Sequence, residues 1–411
     1  MNSESPALSR RRVWALMFNQ LPSDPACSGN PIPKTHGESG DAAQSISEYS
    51  AFDDLDQCSA FFEQYVIQDV RESATMQEVL GGAAIGDSFR KQLRESGSAV
   101  AHLRLIVADE TPAGLSPDST DSDPRQKSEL FGQDRNVSFA ELRIPRTGHP
   151  GEPVPLHDAV RDAIVAADLI WVETLIQTES ADSGLNAAEV GVRWVQQMRS
   201  MMKSHQRPND VLLVSSLRGP GRKINSPFTS TGDEGLVHAP LWIDYGSSHS
   251  CRIQSLVGSF DFLPTVLEYV TGITPAEQHS QPDNESTAAD RDNQKGSRVL
   301  TNLDGAPSSL VTAAESFCPG RDRLLRLTGD SWTALRSQQY LLVQTTQCDQ
   351  PQTADSECEA KPAEVPVRYL YLKPDDVWNV QNMIVAYEAI ADEMETLAET
   401  LSAVGPSAES V

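Results

Sequence analysis

The side chains that most often ligate metals or attack substrates are spread singly along this chain. The eight histidines never stand at the spacing of a metal site, and the six cysteines include no Cys-x-x-Cys pair and no histidine partner at zinc spacing. We interpret them as isolated surface histidines and as buried or idle thiols. They are His36, His102, His149, His157, His205, His238, His249 and His279, and Cys27, Cys58, Cys251, Cys318, Cys348 and Cys358.

Three short motifs approach known functional sites without completing them. The run Gly246–Ser250 is not the Gly-x-Ser-x-Gly elbow of serine hydrolases, and it indicates a polar turn. Gly81, Gly82 and Gly86 lack the Lys and Ser or Thr of a phosphate loop, so we favour the end of a helix and a loop. A basic spot at 219–223 is suited to a small anionic ligand, although its residues also fit a solvated loop, which we favour.

Charge limits the classes of partner. Lys and Arg number 33 against 58 Asp and Glu, a formal net charge of −25, which repels phosphate backbones and anionic membrane surfaces. No segment approaches the roughly 20 apolar residues needed to span a bilayer. We therefore predict no nucleic-acid and no membrane partner, which leaves a protein of unknown identity or a small anionic ligand.

The first apolar run follows a basic stretch, as in a signal peptide. Residues 10–12 are arginines, and the apolar run Val13–Phe18 follows them but stops at Asn19. This run is too short for the apolar region of a signal peptide, so we predict a buried strand and a cytoplasmic protein. A disulfide among the three cysteines from 318 to 358 would require export.

Apolar runs alternate with helical patterns, which indicates a layered α/β protein with a largely parallel sheet. A helix is predicted at Ala187–Met202, where Val190, Val195, Met198 and Met202 recur at helical spacing. The predicted strands are Val13–Phe18, Val100–Val107, Leu169–Thr174, Val211–Ser215 and Pro240–Ile243.

We predict two units, an α/β domain over 1–300 and a C-terminal subdomain over 301–411. The subdomain is expected to hold a small sheet with Tyr340–Val343 and Arg368–Leu372, followed by an amphipathic helix over Asn382–Leu401. The apolar face of that helix comprises Ile384, Tyr387, Ile390, Met394, Leu397 and Leu401. Polar insertions that bury too little apolar surface to order themselves are predicted at 21–47, 111–136, 275–297 and 349–366.

The back half of the chain resembles a sulfatase domain. Gly235–Ile243 is similar to the family's EGGxRVPLI turn and strand, and Phe260–Leu267 is similar to its DLxPTLL helix start. There Asp261 has the position of a helix N-cap, and Pro264 lies in the first turn. Further segments are similar to the family in its own order, weakly at the front of the chain and well at the back; they are Phe52–Phe62, Met76–Gly82, Phe89–Asp109, Val211–Ser216, Ala334–Val343 and Leu370–Asn382. The last of these is specific, because an aromatic strand, a Pro-Asp turn and a helix entry follow at fixed spacing.

This resemblance implies an alkaline phosphatase/sulfatase-like fold. The expected architecture is a large mixed, mostly parallel sheet sandwiched by helices, with a small C-terminal antiparallel sheet and a terminal helix.

The resemblance also implies that the metal site of this family is degenerate here. Sulfatases hold a hard divalent cation with carboxylate and amide oxygens. Their first metal pair aligns on Asn19 and Gln20, which carry no negative charge, and their second pair aligns on Leu217 and Arg218. Leucine cannot ligate a metal, and arginine places a cation where the metal would lie. We therefore expect no metal and no other cofactor.

The catalytic positions are degenerate as well. The nucleophile of the family's CxPSR motif aligns on Glu72, and the arginine of the motif aligns on Met76. Sulfatases carry a histidine after a mid-chain LWV strand, and Glu173 stands at that position here. Ser73 and Thr75 offer unmodified hydroxyls, but without metal ligands nothing activates them.

Two functions remain open at this point. We favour a catalytically inactive sulfatase-like pseudoenzyme with a binding or regulatory role. The alternative is a divergent hydrolase of sulfuric or phosphoric esters, which would need calcium and at least three converging oxygen ligands. The strand-end acids available for that set are Asp109, Asp168, Glu173 and Asp244.

Arg218 suggests a specific arrangement of the old site. If it lies at the end of a central strand, it meets the start of the nucleophile segment. A buried guanidinium there would need a carboxylate, and Glu72 and Glu173 are the nearest candidates by alignment. A solvent-exposed Arg218 is the alternative.

Overall fold

A computed structural model describes residues 10–19, 55, 57–71, 73–108, 130–131, 136–145, 156, 158–176, 184–205, 210–219, 237–245, 250–272, 324–345, 367–373 and 381–403. The expected division near residue 300, most of each predicted insertion, Gln20 and Glu72 lie outside these residues.

A large mixed sheet forms the centre of the molecule. Its strands run in the order β4-β3-β5-β1-β6-β7-β2-β8, and β7 alone among them runs antiparallel to its neighbours. The strands are β1 Val13–Phe18, β2 Ala60–Val66, β3 Val100–Ala108, β4 Val137–Pro145, β5 Leu169–Ile176, β6 Val211–Ser216, β7 Leu241–Asp244 and β8 Cys251–Gly258. All five predicted strands of this sheet are confirmed, whereas β2, β4 and β8 were not predicted.

Side chains alternate between the two faces of the large sheet, as the pleat requires. We call the face that carries Ala15 and Met17 the first face, and the face that carries Trp14 and Leu16 the second face. The helices cover both faces. They are α1 Met76–Val79, α2 Gly82–Glu95, α3 Asp158–Ala166, α4 Gly184–Ser204, α5 Phe262–Thr271 and α6 Glu388–Ala403.

The first face is covered by α1, α2 and α5, which contribute Val79, Phe89 and Phe262 to its core. The second face is covered by α3 and α4, which contribute Ile164 and Trp194. Because β1 is buried on both faces, its six residues are all apolar and carry no alternation. None of the described helices is both long and apolar enough to cross a membrane.

The smaller sheet is antiparallel, in the order β12-β11-β10-β9, which confirms the predicted C-terminal sheet. Its strands are β9 Leu325–Thr328, β10 Trp332–Arg336, β11 Tyr340–Thr345 and β12 Val367–Leu372. One side packs on α6 through Leu342, Leu370 and Met394, and the other joins the first-face core. The terminal helix begins at Glu388, six residues later than predicted, because Asn382 accepts hydrogen bonds from Leu370 N and Ile384 N.

One local expectation is confirmed in position only, and one is corrected. Asp261 is the N-cap residue of α5, as expected, but its carboxylate accepts from Gly258 N at 2.9 Å and makes no side-chain hydrogen bond to cap the helix. The correction concerns 111–136, for which the sequence predicts a polar surface insertion. Leu130 and Phe131 from that range are buried in the first-face core, at 1% and 2% exposure.

Candidate functional site

The carboxyl ends of the central parallel strands meet at one edge of the large sheet, where α/β folds place their ligand sites. Asn19, directly after β1, donates its backbone N–H to Thr174 O on β5 at 3.0 Å. Leu217, directly after β6, donates to Phe18 O at 2.8 Å. The positions aligned with the two metal pairs of sulfatases therefore lie side by side at this C-terminal edge.

The segment aligned with the nucleophile motif reaches the same edge from β2. Arg71 O closes a turn by accepting from Ala74 N at 3.0 Å, just before α1. The same carbonyl accepts a hydrogen bond from Arg218 Nη2. Ser216 Oγ donates to Arg218 O at 2.8 Å and shapes the turn after β6. The end of β6 and the start of the motif segment are thus joined directly.

Apolar side chains occupy three of the positions where the resemblance places site residues or their neighbours. Leu217, Ala74 and Met76 are each partly buried, and each packs against the first-face core. Leucine stands where a metal ligand is expected, and methionine stands where a sulfate-binding arginine is expected. These three side chains therefore extend the core and offer no oxygen ligand to a hard cation.

Thr75 has a structural task at the start of α1. Its hydroxyl accepts from Glu78 N at 3.3 Å, and Glu78 accepts from Thr75 N at 2.8 Å, which completes a capping box. The Thr75 hydrogen bonds hold the pKa of Glu78 below its usual value. The hydroxyl is therefore engaged as an N-cap.

Charged groups beside α1 pair with each other. Arg71 Nη2 lies 2.6 Å from Asp69 and 3.3 Å from Glu78, and hydrogen bonding to Asp69 raises the pKa of Arg71. Arg218 is half-buried, and among the described residues it makes no ion pair within 4.0 Å; its side-chain contact is the Arg71 carbonyl. The positive charge of Arg218 thus interacts with the dipole of the Arg71 carbonyl, and no described carboxylate pairs with it.

Glu173 lies on β5, where it pairs with residues of β3. Its Oε2 atom accepts from Arg104 Nε at 3.1 Å and lies 3.5 Å from His102 Nε2. Burial alone would raise the pKa of Glu173, but His102 and Arg104 together lower it. The expected Arg218–Glu173 pair is therefore wrong, because the register of β3 and β5 places Arg104 directly opposite Glu173. Glu72, the other expected partner, lies outside the described residues.

The strand-end acids of the hydrolase alternative do not converge. Asp168 precedes β5 and accepts from Ala99 N at 3.1 Å, which places it at the N-terminal edge of the sheet. Asp244 ends the antiparallel β7 opposite Leu212, so it also lies toward that edge, 3.4 Å from Arg199. Glu173 lies toward the C-terminal edge, and Asp109 lies outside the described residues. Within the described part of the chain, no three His, Cys, Asp or Glu side chains cluster so as to hold a metal ion.

One interpretation of a single residue needs revision. His102, interpreted from the sequence as a surface histidine, is fully buried. Cys58 is half-buried beside Arg199 Nη2 at 2.9 Å, and burial, with Asp244, raises the pKa of its thiol. Burial of His102 had one signal in the sequence, because Val100, His102 and Arg104 fall on one face of a strand at a period of two. Cys251 is exposed, and the other cysteines lie outside the described residues.

Comparison with known proteins shows similarity in structure but not in sequence. No family model matches this chain, and no curated protein matches it. The protein Ps i-CgsB superposes with a TM-score of 0.51 at 12% identity, over 96% of this chain and 93% of its own.

Two named enzymes superpose equally well. The phosphonate monoester hydrolase of Agrobacterium radiobacter gives a TM-score of 0.50 at 12% identity, over 96% of each chain. The PsFucS1 sulfatase from Pseudoalteromonas sp. gives 0.50 at 12% identity, over 96% of this chain and 90% of its own. These identities speak for the architecture alone. With its large mostly parallel sheet and its small antiparallel C-terminal sheet, the chain has the alkaline phosphatase-like fold of sulfatases and phosphonate monoester hydrolases.

Proposed function

We propose that this protein is a sulfatase-like pseudoenzyme, catalytically inactive toward sulfate and phosphate esters, that binds a small anionic ligand or a partner at the C-terminal edge of its large sheet. The observation that carries the proposal is the packing of Leu217, Ala74 and Met76 against the first-face core. In a working site of this fold, a metal ligand and a sulfate-binding arginine would stand at two of these positions.

The polar groups that remain at this edge support the same conclusion. Thr75 serves as a helix cap, and Arg218 holds the Arg71 carbonyl. A divalent cation needs several oxygen ligands, and the side chains of Leu217 and Arg218 supply none. Loss of both the nucleophile and the metal ligands removes attack and charge stabilisation together, each worth several kcal/mol of the barrier in metal-dependent hydrolases.

Arg218 is the feature that favours an anionic ligand. A half-buried guanidinium is stabilised most by a negative charge, and among the described residues Arg218 contacts a carbonyl and no carboxylate. A small anion at this position would supply a negative charge without any metal. Because the chain as a whole is strongly acidic, binding would depend on this local charge and not on long-range attraction.

Activity is tested with aryl sulfates and aryl phosphates, with and without added calcium, magnesium or manganese. We expect no turnover above the uncatalysed rate. Calcium or magnesium should also leave the melting temperature unchanged, because only a ligand that binds the native state raises it. Turnover that Thr75→Ala abolishes, or a metal-dependent rise in melting temperature, would promote the ester hydrolase instead.

The anion site is tested by thermal melting in sulfate, phosphate and acetate against chloride at equal ionic strength. Sulfate and phosphate stabilise most proteins by exclusion from the surface, so Arg218→Met is the matched control. We expect an additional, saturable rise in the melting temperature of the wild type that the Arg218→Met protein lacks. Equal rises in the two proteins would remove Arg218 as an anion site and leave a protein partner as the remaining class.

A further inference from the structure

His102 lies at the centre of a buried aromatic cluster on the first face of the large sheet. It is fully buried, and its ring centroid lies 5.2 Å from that of Phe131 and 5.1 Å from that of Phe139. Phe131 also contacts Trp171 and Phe89, at 5.6 and 6.1 Å. The imidazole therefore helps to hold residues 130–131 between the sheet and α2.

The polar surroundings of His102 suit a neutral ring. Nε2 lies 3.5 Å from Glu173 Oε2, at the limit of hydrogen bonding, and neither ring nitrogen makes a well-directed hydrogen bond. The same carboxylate oxygen already accepts from Arg104 Nε at 3.1 Å. A protonated His102 would have to share this oxygen with Arg104 and would have no water around it, which is costly for a buried charge.

Few other charges of the described residues face the cluster. On β4, Glu141 stands opposite Arg104 and is half-buried. On the α2 side, Arg90 donates to Leu130 O at 3.1 Å and pairs with Asp87. Burial lowers the pKa of His102, the Glu173 carboxylate offsets part of this effect, and Arg104 adds to it.

We propose that His102 is an acid-sensitive lock, whose protonation loosens the contact of the segment at Leu130 and Phe131 with β3 and β5. The two states differ in a single proton. With a neutral ring, Phe131 and Phe139 pack against it; with a charged ring, the cluster must open to let water reach the imidazolium.

The direction of the pH effect follows from linkage. An unfolded histidine titrates near pH 6.5, and the folded pKa of His102 is lower, so the unfolded chain takes up this proton first as the pH falls. The stability that His102 contributes is complete above about pH 6.5 and is lost as the pH falls through its folded pKa. Glu173 also has a lowered pKa, and its contribution is lost only below about pH 4.3, so between about pH 4.3 and 6.5 His102 alone of this pair lowers the stability.

The test is urea unfolding of the full chain at several pH values between about 5 and 8. Relative to His102→Gln, the unfolding equilibrium constant of the wild type should rise by up to about tenfold per pH unit below about pH 6.5. His205→Gln is the matched control, because His205 is exposed and should keep the pH dependence of the wild type. The same pH dependence in wild type and His102→Gln would overturn the proposal.

A measurement on the wild type keeps the proposal testable if His102→Gln does not fold. NMR titration of the histidine rings should give one resonance with a pKa below 6.5 that disappears in His102→Phe. Hydrogen exchange, corrected for its intrinsic pH dependence, should rise first in β3, β5 and residues 130–131 on acidification. A His102 pKa at or above 6.5, or a uniform rise in exchange, would contradict the lock.

Discussion

The two edges of the large sheet each hold one arginine, and the environments of these two arginines differ. At the N-terminal edge, Arg12 binds both oxygens of Asp210, at 2.7 Å in the shortest contact, and the two side chains are 1% and 2% exposed. At the C-terminal edge, Arg218 is half-buried and donates to the backbone carbonyl of Arg71. Arg12 is buried against a carboxylate, whereas Arg218, within the described residues, contacts only a carbonyl at the edge where α/β folds place their ligand sites.

The two ends of β6 differ in the same way: one end contributes to stability, and the other carries the residues of the proposed site. The Arg12–Asp210 pair precedes β1 and β6, holds their starts in register, and also receives Trp14 Nε1 at 3.4 Å. Arg218 and Leu217 follow β6 at its other end, where one is charged and the other is part of the core. The same strand therefore begins in a buried ion pair and ends beside the residues that we propose form a degenerate site.

The strongest test of the comparison is Asp210→Ala. Removing one partner leaves Arg12 buried without a counter-charge, and we expect the free energy of unfolding to fall by about 3–5 kcal/mol in urea titration. The double variant Arg12→Met with Asp210→Leu should recover most of the loss, since apolar pairs often replace buried ion pairs without cost. A loss below about 1 kcal/mol would mean that the Arg12–Asp210 pair contributes no more to stability than an exposed surface pair.

Leu217→Ala probes the apolar side of the C-terminal edge. Leu217 is partly buried against the first-face core, so we expect a loss of about 2 kcal/mol, at the low end for leucine truncation. Leu217→Met, which conserves volume, should cost less than about 1.5 kcal/mol. If Leu217→Asp folds as well as wild type and melts higher in calcium, the edge is a latent metal site and not part of the core.

Arg218→Met is expected to have a smaller effect, about 1.5 kcal/mol in the free energy of unfolding, because one charge-assisted hydrogen bond to a carbonyl is lost. Arg218→Lys should retain part of this hydrogen bond. A loss of about 3–5 kcal/mol would instead indicate a stranded carboxylate and restore Glu72 as the partner of Arg218.

Thr75→Ala is expected to cause the smallest loss in the free energy of unfolding among these variants. Loss of the helix N-cap should reduce the free energy of unfolding by about 1 kcal/mol. Thr75→Ser, which keeps the capping oxygen, should be close to neutral. A much larger loss would assign Thr75 a role beyond the capping box.

The strands that sequence analysis found and those it missed differ in their surroundings. β1 and β6 are buried on both faces, so each appears as an unbroken apolar run or nearly so. β4 and β8 are the outermost strands of the sheet and carry polar residues between apolar ones, so neither forms the continuous apolar run by which the central strands were predicted. The central strands and the α/β class were therefore predictable, whereas the full width of the sheet was not.

The candidate site divides in the same way. Motif order was sufficient to place Asn19, Leu217 and Arg218 at strand ends, because residues that follow parallel strands meet at one edge. The partner of Glu173 was not predictable. Arg104 and Glu173 are 69 positions apart, and the register between β3 and β5, set by packing on both faces, decides that they stand opposite each other.

The sequence by itself determined the layered α/β architecture, the small C-terminal sheet and the identity of the residues at the degenerate positions, because hydrophobic periodicity and side-chain chemistry are local properties of a chain. Only the tertiary structure decided what those residues contact. Arg218 reaches a carbonyl and Glu173 reaches Arg104 and His102, since contacts between distant segments depend on sheet order and register, which no local pattern specifies.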